Sequence, residues 1–157
     1  MLKNRVVVIT GGNGLLGREF CRSVSENNGI AIIADYDESG QAFSNTLKNS
    51  FFCKIDITSE SSINNCLNTI SEKYGKIDAL VNNAYPRNKN YGRDVMKVDY
   101  NDFVENIGMN LGGYFACTKV FSKFFKDQGY GNVINIGSIY GVIAPKFEIY
   151  NNTPSTM

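Results

Sequence analysis

Five short apolar runs recur along the chain, and most lack the polar–apolar alternation of a half-exposed strand. They are RVVVIT (5–10), GIAIIAD (29–35), FFCKID (51–56), DALVN (78–82) and NVINIGS (132–138). Runs this rich in Val, Ile and Phe read as strands buried on both faces, the signature of a parallel sheet covered by helices. Longer helical stretches separate them at about 15–30, 37–49, 59–74 and 98–128. The third has Thr58 or Ser59 as an N-cap and Glu60 in its first turn. Strand–helix alternation with no repeat and no low-complexity linker predicts an α/β fold, a doubly wound parallel sheet in a single domain over residues 1–157. In the common order 3-2-1-4-5-6 the fifth strand pairs with a sixth. The sequence offers no sixth run, so 132–137 would be a bare apolar edge of the kind natural sheets avoid. The expectation is of a domain whose C-terminal strands are missing.

Composition narrows the chemistry. Hydrophobic residues make up 43% and charged residues 20%, with a net charge of +1, which is globular and not disordered. No stretch concentrates Lys and Arg, so neither nucleic acid nor a membrane is an expected partner. There is no signal-peptide-like start and no long apolar span; Cys21, Cys53, Cys66 and Cys117 share no metal-type spacing. They read as reduced, mostly buried thiols of a cytoplasmic protein with no metal. The chain has no histidine, which removes Ser-His-Asp triads and histidine bases; acid–base chemistry falls to Tyr, Lys, Asp, Glu or Cys. Within NLGGYFACTKVFSKFFKD, Leu111, Tyr114, Phe115, Thr118, Phe121 and Phe125 form one stripe, with Cys117, Val120 and Phe124 beside it. So apolar a helix implies packing on two sides, one against the sheet and the other against neighbouring helices or a second subunit; a homodimer or homotetramer through 110–127 is expected.

The first strand runs straight into G-x-G-x-x-G, formed by Gly12, Gly14 and Gly17, and then into a helix. Such a turn can exist for tight packing alone. Placed in the first strand–helix unit, its backbone N–H groups can instead hold a pyrophosphate, and the loop is read as Gly11, Gly12, Asn13, Gly14, Leu15, Leu16 and Gly17. Asp35 ends the second strand, where a carboxylate would bind the adenosine ribose hydroxyls and repel a 2′-phosphate. Neither residue 36 nor 37 is basic, so NAD is favoured over NADP. Asp35 could otherwise cap the next helix.

Together these residues resemble the short-chain dehydrogenase/reductase family over nearly the whole chain. TGGNGLLG (10–17) is similar to the family's cofactor loop, and KIDIT (54–58) to the stretch where an aspartate, here Asp56, contacts adenine beside Ile57. ALVNNAY (79–85) resembles the end of the fourth strand: Asn82 and Asn83 would tie loops together, with Ala84 and Tyr85 near the cofactor. Asn110 in MNLGGYF matches the asparagine that kinks the long helix and supports a proton relay. NVINIGSIYG (132–141) matches the fifth strand with its catalytic serine, Ser138. The resemblance implies a Rossmann-like fold, NAD(P) as cofactor, and hydride transfer between nicotinamide and a secondary alcohol or ketone, a sugar derivative included. The loop spacing is closer to the extended, sugar-nucleotide-acting branch, whose dehydratases and epimerases are the alternative; NNAY points to the core branch. The segment 144–157 resembles reductases of surface-carbohydrate and flagellin modification.

The family's general acid/base is a tyrosine with a lysine four residues later on one helix face, because a phenol of pKa about 10 is a poor base unaided. Four residues after Tyr140 is Ala144, and after Tyr150 is Pro154. Tyr85 precedes Lys89 by four, but YPRNK is a turn, where that spacing does not bring side chains together. Tyr85 is expected at the cofactor or substrate mouth, and Tyr150 in a lid or insertion, with a functional tyrosine there the lesser alternative. The Tyr-x-x-x-Lys pair is thus expected outside this sequence and the chain alone inactive, or else a non-catalytic dinucleotide-binding module.

Overall fold

The computed structural model describes residues 1–144, 146 and 149. All five residues of the first strand, β1 (Val6–Thr10), are buried. Its apolar run is continuous because both faces are covered: Val6 and Val8 enter one core, Val7 and Ile9 the other. Around it stand β2 (Ile30–Asp35), β3 (Ser50–Lys54), β4 (Ala79–Asn82) and β5 (Asn132–Asn135) in the order β3-β2-β1-β4-β5, with every pairing parallel. Helices α1 (Leu15–Glu26) and α2 (Gly40–Ser44) cover one face through Cys21, Val24 and Phe43. On the other face, α3 (Glu60–Tyr74) contributes Ile63, Leu67 and Ile70, and α5 (Gly113–Gln128) contributes Cys117, Phe121 and Phe125. The doubly wound sheet is the one the apolar runs predict.

Several boundaries differ from the sequence reading, each for a local reason. The helix expected at 37–49 shrinks to α2, because the Asp37 N–H donates to Asp35 Oδ1 (3.0 Å) and the Ser39 N–H to Asp37 Oδ1 (2.9 Å). Side chains that satisfy nearby N–H groups compete with a helical turn. β3 and β5 stop at Lys54 and Asn135, short of the predicted 56 and 138. α3 begins as expected, with Ser59 Oγ accepting from the Ser62 N–H (3.3 Å), and ends on Gly75 at φ +70°.

The long helix of 98–128 is two helices, α4 (Tyr100–Ile107) and α5, joined by a wide π-turn at Gly108–Gly112. Its predicted stripe is corrected as well. The sheet-facing row is Gly113, Cys117, Phe121 and Phe125, spaced by four, whereas Leu111 (67% exposed) and Phe115 (68%) face outward. Gly113 belongs to the packed row because a Cβ there would lie 2.6 Å from Ile57 Cδ1. All four cysteines are buried and unpaired, and burial pushes the Cys21 and Cys117 thiols up to about 12. Among the described residues no helix is long and apolar enough to cross a membrane.

One buried carboxylate fastens the start of β1 to the start of β4. Asp78 accepts from Arg5 Nη1 (2.6 Å) and from the Val6 N–H (2.8 Å), and Lys76 Nζ lies 3.1 Å away. Burial raises the acid's pKa, but the hydrogen bonds from Arg5, Val6 and Lys76 outweigh it and hold Asp78 below the usual carboxylate range. A depressed native pKa contributes stability that is present above the ordinary carboxylate pKa and lost as pH falls through the native one. Urea unfolding should therefore show Asp78→Ala destabilised by about 1–3 kcal/mol at pH 7, the cost of leaving the buried Val6 N–H without its acceptor. The difference from wild type should shrink as pH falls below 4; an undiminished gap at low pH would exclude this account.

Candidate functional site

The loops leaving the C-terminal ends of β1 to β4 enclose a cleft of about 650 Å³. Its floor is the turn between β1 and α1. Gly11 adopts φ +64°, and the Gly14 N–H donates back to Gly11 O (3.0 Å). A Cβ on Gly17 would sit 2.0 Å from Gly11 O, and one on Gly11 2.8 Å from Ala84 Cα, so neither position admits a side chain. Gly14 is the N-cap of α1 and no side chain caps that helix, so its first N–H groups face the cleft end uncompensated.

Asp35 closes one end of the loop. Its Oδ2 accepts from the Asn13 N–H (2.9 Å) and its Oδ1 from the Asp37 N–H (3.0 Å). It caps no helix, since α2 starts at Gly40 after Ser39, so the capping alternative falls. Asn13 is held in turn by Ser39 Oγ (2.8 Å), while Arg18 donates to its backbone and side-chain oxygens at 2.9 and 2.7 Å. Asp56 accepts from the N–H and hydroxyl of Thr58 at 2.9 and 2.7 Å.

Thr10 fixes the opposite wall. Its fully buried hydroxyl accepts from the N–H groups of Asn83 (3.0 Å) and Ala84 (3.1 Å) and donates to Val81 O (3.3 Å). Asn83 Nδ2 completes the tie by donating to Thr10 O (3.0 Å) and Gly11 O (3.2 Å). Asn82 Nδ2 reaches Thr118 Oγ1 (3.0 Å) and Asn135 Oδ1 (2.8 Å), joining β4 to α5 and β5.

Of the residues singled out for cofactor binding, Gly11, Gly14, Leu15, Leu16, Asp35, Asp56, Ile57, Asn83, Ala84 and Tyr85 line this cleft. Gly12, Asn13 and Gly17 stand behind it as packing and hydrogen-bonding support. Tyr36, Ile55, Thr58, Pro86, Arg87 and Met109 also line it without having been singled out as site residues. Tyr36 and Thr58 adjoin the strand-end acids and could have been found from that position; Met109 arrives only through the π-turn.

Asn110 lies in the π-turn and does not line the cleft. Its Nδ2 donates to Pro86 O and Asn106 O, both at 2.9 Å, and the residue borders a second cavity of about 310 Å³. Tyr85 borders both cavities. It does not pair with Lys89: its hydroxyl meets that of Tyr91 at 2.7 Å, with the rings edge to face. Burial and this hydrogen bond push the Tyr91 phenol up to about 12. Ser138 is exposed and caps a short 3-10 turn, Ile139–Gly141, with its Oγ accepting from the Tyr140 N–H (3.2 Å). Tyr150 falls outside the described residues.

Comparison with known proteins agrees with this geometry. A family model described as short chain dehydrogenase matches residues 5–153. The chain is 41% identical over 160 residues to Post-translational flagellin modification protein A of Campylobacter coli, with 98% of this chain and 62% of that protein covered. It is 29% identical to 7alpha-hydroxysteroid dehydrogenase of Bacteroides fragilis, covering 90% of this chain and 57% of the relative. The chain thus spans about three fifths of the length of these curated relatives. Among solved structures, levodione reductase and NAD+-bound xylitol dehydrogenase each superpose with a TM-score of 0.84 at 23% identity. They cover 92% of this chain, which spans 58% and 56% of them, respectively.

The Thr10 hub yields a sharp expectation. Thr10→Val keeps the shape but leaves two N–H groups without an acceptor, at about 1–3 kcal/mol for each buried donor. Thermal unfolding should register that loss, whereas Thr10→Ser should stay close to wild type; equal behaviour of the two variants would rule the hub out.

Proposed function

The chain belongs to the short chain dehydrogenase family, and we propose that it is the cofactor-binding part of an NAD-dependent oxidoreductase acting on a secondary alcohol or ketone. The observation that carries this is the union, in one cleft, of an uncapped helix start, a glycine turn without room for side chains, and a strand-end carboxylate. These features fit a dinucleotide. The backbone at Gly11 and from Gly14 to Leu16 would hold the pyrophosphate, with Gly12, Asn13 and Gly17 behind it, Asp35 the adenosine ribose, Asp56 and Ile57 the adenine side, and Asn83, Ala84 and Tyr85 the nicotinamide side. When bound, the nicotinamide supplies the hydride acceptor or donor.

Ser138 and Asn110 are the chain's contributions to the reacting end. Because Ser138 Oγ accepts from the Tyr140 N–H, its own hydrogen is left to donate to a substrate oxygen. Asn110 braces Pro86 and so the wall beside Tyr85. The 157 residues hold no tyrosine with a lysine four positions later on a helix, so we propose that this chain alone binds cofactor without turnover. A sugar derivative as substrate draws support from relatives such as L-fucose dehydrogenase of Bos taurus, 29% identical. The exposed Leu111 and Phe115 support pairing of subunits through the 110–127 helix, and a cytoplasmic location accords with the reading.

Calorimetry decides the cofactor. NAD should bind at least about tenfold tighter than NADP, because Asp35 opposes a 2′-phosphate. Asp35→Ser should erase most of that margin, and Ser138→Ala should leave both affinities unchanged. Equal affinity of the wild type for the two cofactors would refute the role given to Asp35, and binding of neither would refute the dinucleotide site.

A further inference from the structure

Arg87 differs from the other arginines. Arg5 donates to Asp78, Arg18 to Asn13, Arg22 to Glu19 and Arg93 to Asn90, while Arg93 Nη1 also lies 3.6 Å from Asp102. Among the described residues Arg87 has no hydrogen-bond acceptor and no carboxylate within ion-pair distance. Its guanidinium lies instead over the rings of Tyr85 (6.0 Å) and Tyr91 (5.5 Å), the two phenols joined through their hydroxyls. Stacking on aromatic faces steadies an arginine without using its fork of N–H donors.

The backbone on each side is fixed as well. Asn110 holds the Pro86 carbonyl, and the Asn88 N–H donates to Asn106 Oδ1 (3.2 Å). Two acidic groups that hold this loop are engaged by other residues: Asp102 Oδ1 accepts from Asn88 (2.9 Å) and Asn90 (2.7 Å), and Glu105 from Asn88 (2.8 Å). A held cation with open donors thus lines the large cleft, and Tyr85, one of its two supports, borders both cavities. The large cleft is polarised in consequence. Asp35 and Asp56 stand at its β2–β3 end and Arg87 at its β4 end, on the far side of β1.

We propose that Arg87 is a specificity-determining residue that receives an anionic group, carboxylate or phosphate, carried by the substrate. Planar guanidinium donors suit both anions, and a donor fork that is already oriented loses less freedom on binding. This deepens the oxidoreductase reading and rests on it for the word substrate, but the anion site is testable alone.

The test is calorimetric titration of the protein, with and without NADH, using D-glucuronate, D-glucose 6-phosphate and D-glucose as probes. At least one anion should bind about tenfold or more tightly than glucose, and comparing the two anions separates carboxylate from phosphate. Arg87→Ala should remove the preference, Arg87→Lys should restore part of it, and NADH affinity should stay within about twofold of wild type. The proposal is overturned if glucose binds as well as the anions, or if Arg87→Ala keeps the preference. It is overturned equally if Arg87→Ala weakens NADH tenfold and leaves the anions alone, which would assign the guanidinium to the cofactor's phosphates. Failure of wild type to bind NADH, with anion selectivity intact, would speak against the dinucleotide reading alone.

Discussion

Everything at the site depends on the chain winding away from β1 in both directions. β2 and β3 lie to one side of it, β4 and β5 to the other, so the loops after β1 and β4 part and leave a crevice at their C-terminal ends. The crevice exists because of connection order, before any side chain is considered. Side chains then decide whether it keeps its shape. Thr10, at the last position of β1, links the two diverging loops through one hydroxyl, and the Gly11 carbonyl receives both the Gly14 N–H and the Asn83 amide. The cleft is therefore held at its centre by backbone-directed hydrogen bonds, which side-chain motion at its rim does not disturb.

The sheet was legible in the sequence because buried parallel strands leave an unmistakable trace: VVVIT and IAIIAD have no polar member until their last residue. The glycine turn and Asp35 were legible because their spacing follows from the strand–turn–helix unit. Tertiary geometry hid the rest. The resemblance marks a kink at Asn110 but not its form, a π-turn whose cost is offset by Asn106 and Asn110 bonding back along the helix and by Asn110 reaching Pro86. The outward direction of Leu111 and Phe115 was equally hidden. An aromatic-rich helix reads as covered on two sides, and hydrophobicity alone cannot name which row faces the sheet; Gly113 against Ile57 decides it. Tyr85 and Lys89 have the right spacing on the wrong backbone, and the tyrosine finds another tyrosine instead.

Electrically the chain is close to neutral, with a net charge of +1, yet its cleft is not uniform. Acids terminate β2 and begin the loop after β3, the uncapped end of α1 lies in the middle, and an arginine follows β4. A long ligand with several charged parts meets a different environment at each part. Orientation within such a cleft follows from charge order as well as from shape.

The π-turn has a consequence for how the site is encoded. Each residue of a helix advances its faces by about 100°, so a turn that carries one residue too many resets the phase between the helix before it and the helix after it. α5 keys its phase to the sheet through Cys117, Phe121 and Phe125, whereas Asp102 and Asn106 of α4 hold the loop that carries Tyr85, Arg87 and Tyr91. The direction in which that loop faces is thus stored as an angular offset along a helix. Changes in helix length, more than changes in contact strength, are how this architecture could re-aim the loop after β4 while leaving the glycine-turn end of the cleft as it is.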